Sequence, residues 1–125
     1  MQIGEVAART ELSVTTVRHY DEVGLVVPSA RSAGGFRLYT DSDVERLLVI
    51  RRMKPLGFSL AEMKELLDSL DVLAGEGVPE HLRAAAADSL HQCQTKADES
   101  IAKLRKHLAY AEELSGLLAA RAAFT

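Results

Sequence analysis

A long helical pattern near the carboxyl end of the chain limits the folds available to this sequence more than any other feature. Residues Glu80 to Ala119 make up 40 positions with helical periodicity, which would span roughly 60 Å as one continuous helix. A compact domain of 125 residues has a radius of gyration of only about 14 Å. The helix must therefore protrude, and its own domain cannot bury its apolar face.

That apolar face follows a heptad frame. Eight of the ten a and d positions are apolar; the a positions are Ala87, Gln94, Ile101, Leu108 and Ser115, and the d positions are Leu90, Ala97, Leu104, Ala111 and Leu118. Such a seam predicts a two-helix coiled coil between chains. Its expected interface residues are Leu90, Ala97, Ile101, Leu104, Leu108, Ala111 and Leu118. The alternative is a bent helix or a helical hairpin that packs back on the domain, with the break at Asp88-Ser89 or Gly116.

The amino-terminal part of the chain is predicted to form several short secondary-structure elements. Ile3 to Arg9 is a candidate helix, and Ser13 can cap a second one that runs from Val14 to Val23. Gly24 follows, which is the usual residue at a left-handed helix end. Two short helices joined by about three residues predict a helix-turn-helix.

A hairpin and two further helices are predicted next. The apolar run 25–28 and the run 36–39 flank Gly34-Gly35, a turn signal between two strands. The spacings Thr40–Asp43 and Ser59–Glu62 are capping boxes for a third and a fourth helix. Pro55 should end the third helix after about Met53. The order helix, helix, hairpin, helix, helix is that of a winged helix-turn-helix.

Composition and charge exclude several classes of protein. Aromatic residues make up 5% and Trp is absent, which favours helices over a sandwich or barrel. The net charge of −3 excludes a histone-like protein that binds nucleic acid by general basicity. One cysteine, Cys93, cannot form an internal disulfide. The amino terminus lacks signal-peptide features, and no apolar run approaches 18 residues. We therefore expect an intracellular, mostly helical protein with no membrane partner.

Six motifs then fall in an order and spacing that resemble the MerR family of transcription regulators. They are Ile3-Gly4-Glu5-Val6-Ala7, Ser13-Val14, Val17-Arg18-His19-Tyr20-Asp21, Gly24-Leu25, Gly35-Phe36-Arg37-Leu38-Tyr39 and Leu56-Gly57-Phe58-Ser59-Leu60. The resemblance covers residues 2–70. It implies a DNA-binding winged helix-turn-helix domain at 1–70, a linker at 71–79 and a dimerisation helix at 80–121 that forms an antiparallel coiled coil.

The chain departs from the family pattern at four positions. His19 stands where an aromatic residue is common after the arginine, and Thr15 stands where a basic residue is frequent. Glu11 replaces a common turn glycine, and Pro55 is unusual between the third and fourth helices. These departures bear on sequence preference and not on DNA binding itself.

The resemblance implies a function as well as a fold. We expect a homodimeric regulator that binds a pseudo-palindromic promoter site, bends and untwists the DNA, and so acts on RNA polymerase indirectly. Its place would be the cytoplasm, at the nucleoid. The alternatives are an architectural DNA-binding protein and a helical protein-interaction adaptor without promoter activity.

Five residues of the second helix are candidate DNA contacts. Arg18 suits a guanine or a phosphate, unless it pairs with an acidic neighbour on the helix surface. Thr15 and Thr16 would face base edges or phosphates, or be ordinary surface threonines. Tyr20 can donate its hydroxyl to a phosphate or be a core ring. His19 is either a DNA contact or a packing residue.

Two further candidates lie outside the second helix. Arg37, on the hairpin, suits the DNA backbone or the minor groove, the alternative being a solvated side chain. Ser59 can help the first backbone N–H groups of the fourth helix hold a phosphate, or can serve only as a cap.

No catalytic or cofactor chemistry is predicted. The sequence holds no phosphate-binding glycine loop, no cysteine pair and no His-Glu-x-x-His motif. His91 and Cys93 are two potential ligands at i and i+2, which do not share a helix face, so we expect no metal site. Cys93 is otherwise a redox-active thiol or a small apolar helix residue. We therefore expect neither an enzyme nor a cofactor.

Overall fold

A computed structural model describes residues 1–124 of the chain, and their fold is mostly helical. The elements, in order, are α1 (Ile3–Thr10), α2 (Val14–Glu22), β1 (Ala30–Arg31), β2 (Arg37–Leu38), α3 (Asp41–Met53), α4 (Leu60–Ala74) and α5 (Glu80–Ala122). The predicted fold class, a winged helix-turn-helix followed by a long helix, is confirmed.

The turn between α1 and α2 is closed by local backbone geometry. Glu11 ends α1 in the left-handed conformation, with φ of 57°. The Ser13 hydroxyl oxygen caps α2 by accepting the Thr16 backbone N–H at 3.0 Å. Val6 of α1 and Val17 of α2 are fully buried on the inner faces of the two helices. The predicted helix-turn-helix therefore forms as expected.

The hairpin differs from its prediction in its first strand. β1 is Ala30–Arg31, and it pairs antiparallel with β2 so that Arg31 lies opposite Arg37. The predicted strand at 25–28 is wrong, because the first strand lies at Ala30–Arg31 instead. Leu25 and Val26, which come soon after α2, are buried in the core. The apolar run that looked like a strand is a core-filling connection.

The start of α3 is fixed by a buried carboxylate. Asp43 is 6% exposed, and its Oδ2 accepts the Thr40 backbone N–H at 2.9 Å, completing the predicted capping box. The same oxygen accepts the backbone N–H and the hydroxyl of Ser29 at 3.1 and 2.8 Å. These donors satisfy the buried charge and fasten the segment before β1 to α3. Pro55 follows α3 in a 3₁₀ turn at Lys54–Leu56, as its backbone chemistry predicts.

The boundary predicted near residue 70 lies four residues later. α4 begins at the predicted Ser59–Glu62 capping box and continues to Ala74. Residues 71–74 contain no helix breaker, so the helix ends only at Gly75. The helix-free connector is therefore 75–79, which is shorter than the predicted linker at 71–79, and the division into domains stays a prediction.

α5 is continuous from Glu80 to Ala122, without a break at Asp88-Ser89 or Gly116. Its first half nevertheless packs antiparallel on α4 and is clamped at both ends. Arg83 donates to the carbonyl oxygens of Leu73 and Gly75 at 3.3 and 3.2 Å, at the carboxyl end of α4. These bonds satisfy carbonyl groups at the end of α4.

The second clamp lies at the amino end of α4. Lys96 donates to Glu62 Oε1 at 2.9 Å and to the Gly57 carbonyl oxygen at 3.3 Å, with its Nζ 4.5 Å from the Phe58 ring centroid. From residue 101 to residue 124 every side chain is exposed. The long helix thus belongs to the domain up to about residue 100 and protrudes beyond it.

One hydrophobic core joins α1, α2, α3 and α4, and Cys93 of α5 packs against it. It is formed by Val6, Val17, Tyr20, Leu25, Val26, Tyr39, Val44, Leu47, Ile50, Met53, Phe58, Met63 and Leu67. Full burial of one such side chain contributes about 1.5–3 kcal/mol. This core fixes the position of α2 through Val17 and Tyr20, and it includes Tyr39, the residue that follows β2.

Candidate nucleic-acid interface

The outward face of α2 carries three of the predicted DNA contacts. Val17 and Tyr20 hold the opposite face in the core, at 0% and 3% exposure. Thr15, Arg18 and His19 are exposed, and their spacing of three and four residues places them on one side of the helix. The cap at Ser13 presents this face at the start of a well-formed helix, which is the geometry that a major groove accommodates.

The other two candidates of α2 have partners or burial of their own. The Thr16 hydroxyl oxygen accepts a hydrogen bond from the Ser13 hydroxyl at 2.8 Å, and Thr16 is half-buried. The Tyr20 ring belongs to the core, and its burial raises the pKa of Tyr20 above the ordinary value. Their geometry favours the packing and capping roles, and a DNA contact by either residue stays a prediction.

A groove of about 580 Å³ runs beside α2. His19 and Thr15 line one side of it, and Arg51 and Lys54 line the other. Arg51 also donates to the Thr10 carbonyl oxygen at 2.8 Å, which ties α3 to the turn before α2. The groove therefore carries basic side chains from two elements next to the exposed face of α2.

The predicted hairpin contact, Arg37, is held by an acidic residue. Arg37 Nε donates to Asp21 Oδ2 at 2.5 Å, and this hydrogen bond raises the pKa of the Arg37 guanidinium. Arg31 binds the same carboxylate oxygen at 3.2 Å. The Arg37 side chain is 25% exposed, so it is neither a free surface arginine nor buried. A direct DNA contact by Arg37 stays a prediction.

Sequence reasoning missed two residues of the hairpin, Arg31 and Phe36. Arg31 was missed because the first strand was placed at 25–28, which hid its register opposite Arg37. Phe36 is 66% exposed in the turn, where its ring lies against Gly34. The signal available in the sequence was an aromatic residue directly after Gly34-Gly35.

Ser59 acts as a helix cap. Its hydroxyl oxygen accepts the Glu62 backbone N–H at 3.1 Å, and its own N–H donates to Glu62 Oε1 at 2.9 Å. The bond from the Ser59 N–H, together with Lys96, lowers the pKa of the Glu62 carboxyl group. A carboxylate therefore already occupies this helix end, and a phosphate contact by Ser59 stays a prediction.

The predicted dimer residues divide into two groups. Leu90 and Ala97 are half-buried, and they line an apolar groove of about 380 Å³ with Met53, Leu56 and Leu66. The other five are exposed on the protruding part of α5: Ile101, Leu104, Leu108, Ala111 and Leu118. No partner chain is present, so their role in a dimer stays a prediction.

Cys93 packs on the domain. It is half-buried against the core, and burial raises the pKa of its thiol. A raised pKa makes the thiol less reactive at neutral pH. Within residues 1–124, no three His, Cys, Asp or Glu side chains cluster in a way that could hold a metal ion.

Comparison with known families matches most of the chain. Residues 1–70 match the family described as MerR HTH family regulatory protein, and residues 44–120 match MerR, DNA binding. The HTH-type transcriptional regulator ZntR of Escherichia coli (strain K12) is 46% identical over 66 residues. That alignment covers 53% of this chain and 47% of ZntR, so it spans about half the length of this curated relative.

Two solved structures resemble the chain at 34% identity. MtaN, the amino-terminal part of the Bacillus subtilis multidrug transporter activator, has a TM-score of 0.51, covering 86% of this chain and 97% of MtaN. The transcription regulator PbrR691 from Ralstonia metallidurans CH34, in complex with lead(II), has a TM-score of 0.56, covering 87% of this chain and 84% of PbrR691.

None of the helices in the described part of the chain has both the length and the apolar character of a membrane span.

Proposed function

We propose that this chain, which belongs to the MerR family of helix-turn-helix regulatory proteins, is a sequence-specific DNA-binding transcription regulator that acts as a homodimer. Its relatives ZntR and MtaN are described as a transcriptional regulator and as the amino terminus of a transporter activator. The family membership supports the DNA-binding role, and the exposed side chains of α2 indicate which residues would contact the DNA.

The single observation that carries the proposal is the outward face of α2. Thr15, Arg18 and His19 project from a capped helix whose reverse face is locked in the core. Arg18 is exposed, and within residues 1–124 no acidic side chain holds it as Asp21 holds Arg31 and Arg37. An exposed arginine on such a face suits bidentate binding to guanine O6 and N7. The hairpin beside it would contact the DNA backbone as a wing.

Dimerisation is supported by the protruding end of α5. Ile101, Leu104 and Leu108 are 42–58% exposed, whereas Leu47 and Ile50 on the inner face of α3 are fully buried. An apolar seam of this spacing on an isolated helix calls for a partner helix. An antiparallel partner would place two α2 helices on one DNA face, as required for a pseudo-palindromic site.

The dimer would act on a promoter by changing the shape of the DNA. Bending a site costs of order 1–6 kcal/mol, so each half-site needs firm backbone contacts. Distortion that realigns promoter elements would affect RNA polymerase indirectly. Such a regulator works in the bacterial cytoplasm, at the nucleoid.

Substitution of Arg18 tests this proposal. Arg18→Ala should reduce discrimination at one or two base pairs of the bound site by about 1–3 kcal/mol each. Fluorescence anisotropy on matched and single-mismatch duplexes, at several salt concentrations, measures this directly. Lys103→Ala, which removes a positive charge from α5 outside the a and d positions, is the control and should keep full discrimination. Wild-type affinity that is indifferent to sequence would refute the regulator and favour an architectural DNA-binding protein.

A further inference from the structure

One carboxylate joins the hairpin to α2. Asp21 lies near the end of α2, its side chain is 8% exposed, and its Oδ2 accepts hydrogen bonds from both Arg37 and Arg31. The two arginines are direct cross-strand partners in the β1–β2 ladder. Among residues 1–124, the hydrogen bonds that join these two side chains to α2 therefore converge on one oxygen atom.

The pairing of β1 with β2 would be unfavourable without the Asp21 carboxylate. Like charges directly opposite each other destabilise an antiparallel pair. Each strand here has two residues, and an isolated two-stranded hairpin is only marginally stable in water. Asp21 neutralises one of the two positive charges and bridges both guanidinium groups. It is therefore the counter-ion that allows two arginines to share this face of the hairpin.

The two arginines bind Asp21 unequally. Arg37 uses Nε at 2.5 Å and is 25% exposed, whereas Arg31 uses a terminal nitrogen at 3.2 Å and is 48% exposed. Two guanidinium groups share the Asp21 carboxylate, and Glu22 adds only a weaker attraction to Arg37, so Arg31 has the less complete charge compensation of the two. A second anion would balance the remaining positive charge. The Arg31–Asp21 pair is longer and more exposed than the Arg37–Asp21 pair, so Arg31 can exchange Asp21 for that anion at the lower free-energy cost.

We propose that Asp21 is a positioning residue that couples the orientation of the hairpin to α2, and that the two arginines have different roles. Arg37 stays on Asp21 in the DNA complex and holds the hairpin in place. Arg31 exchanges Asp21 for a DNA phosphate. This proposal rests on the proposed DNA-binding function and assigns the phosphate contact of the hairpin to Arg31.

Removal of the Asp21 charge distinguishes an effect on the orientation of the hairpin from a general effect of charge on DNA affinity. Asp21→Asn removes a negative charge close to the DNA, so affinity for random-sequence DNA should rise several-fold at low salt. The hairpin loses its fixed orientation, so the ratio of specific to random affinity should fall by about tenfold or more. Glu22→Gln removes the same charge from the next residue, which is exposed, and should leave that ratio unchanged.

The roles of the two arginines are tested separately. Arg31→Ala should reduce the slope of log affinity against log salt by about 0.9, the contribution of one phosphate. Arg37→Lys keeps the charge but lacks Nε, and it should lower the specificity ratio with little change in the salt slope. If Asp21→Asn proves unstable, this charge-conserving variant still tests the coupling.

NMR of the arginine Nε–H groups gives a readout that does not depend on affinity. In wild-type protein the Arg37 Nε–H should resist solvent exchange both without DNA and on the specific site, while the Arg31 signal shifts only on DNA. An Arg37 signal that exchanges freely without DNA would overturn the coupling. Equal changes in specific and random affinity in Asp21→Asn would overturn it as well. Wild-type protein without sequence preference would instead refute the proposed function, and the DNA-free Arg37 signal would still decide whether Asp21 holds the hairpin.

Discussion

Single residues set the two features that place α2: the turn before it and the ion pairs at its end. Glu11 takes the left-handed conformation that closes α1, at a position where the family commonly has glycine. A non-glycine residue in that conformation costs roughly 1–2 kcal/mol. The Glu11 carboxylate is 85% exposed and 3.8 Å from Arg51, a surface pair that contributes little to stability. The strain is therefore largely uncompensated.

Replacing Glu11 by glycine should stabilise the protein. Glu11→Gly relieves the left-handed strain and adds some entropy to the unfolded chain, so we expect a net gain of about 0.5–1 kcal/mol in unfolding free energy. Urea denaturation at fixed protein concentration measures it. Glu11→Ala removes the same carboxylate but keeps the strain, so it should give no gain. Equal stabilisation by both variants would show that charge, not backbone strain, is responsible.

Some single-residue roles were readable in the sequence and others were not. Ser13, Thr40 and Ser59 were identified as caps because capping depends on neighbours three residues away. The Asp21 pairs join residues 10 and 16 positions apart, and their formation depends on the register of β1. Because the register of the two strands could not be predicted from the sequence, the sequence did not show which arginines share a carboxylate.

Among the elements, the α4–α5 hairpin is the part that the sequence described least completely. Heptad spacing correctly indicated a long helix, and the exposed residues beyond 100 agree with a helix that protrudes. Packing of this helix on its own domain was, from the sequence, only the alternative to a coiled coil. The sequence could not decide between them, because the same small and apolar residues suit either a neighbouring α4 or a second chain. Arg83 and Lys96 decide the arrangement by binding opposite ends of α4.

The amino-terminal clamp of α4 should lose its electrostatic part in acid. The Ser59 N–H and Lys96 lower the pKa of Glu62, so this stabilisation is fully present above the ordinary carboxyl pKa and is lost as the pH falls through the lowered value. Glu62→Gln can keep the capping hydrogen bond but not the charge attraction to Lys96.

Wild-type protein should therefore be more stable than Glu62→Gln at pH 7, and the difference should shrink as the pH falls from 5 to 3. Urea denaturation at pH 7, 5 and 3 measures the difference. Glu45→Gln, which removes an exposed carboxylate from α3, controls for net charge. A difference that is constant with pH would show that the Glu62 charge contributes nothing to this clamp.

At the scale of the whole molecule, we propose that the protruding half of α5 pairs with a second copy of the chain. A charge placed in an apolar seam costs several kcal/mol when the partner helix buries it. Leu108→Asp should therefore yield a monomer, as should Leu104→Asp, in multi-angle light scattering. Tyr110 is about as exposed as Leu108, at 54% against 58%, but lies outside the a and d positions. Tyr110→Asp should remain a dimer; monomers from all three variants would contradict the assigned seam.

Selection of bound sites from random DNA by wild-type protein tests the central claim most directly. Two α2 helices related by a two-fold axis should enrich two inverted half-sites at one fixed spacing. Arg18→Ala, selected in parallel, should give the same spacing with one or two positions relaxed in each half-site. Enrichment of a single half-site would contradict the dimeric arrangement, and the absence of any enriched sequence would contradict the assignment as a sequence-specific regulator.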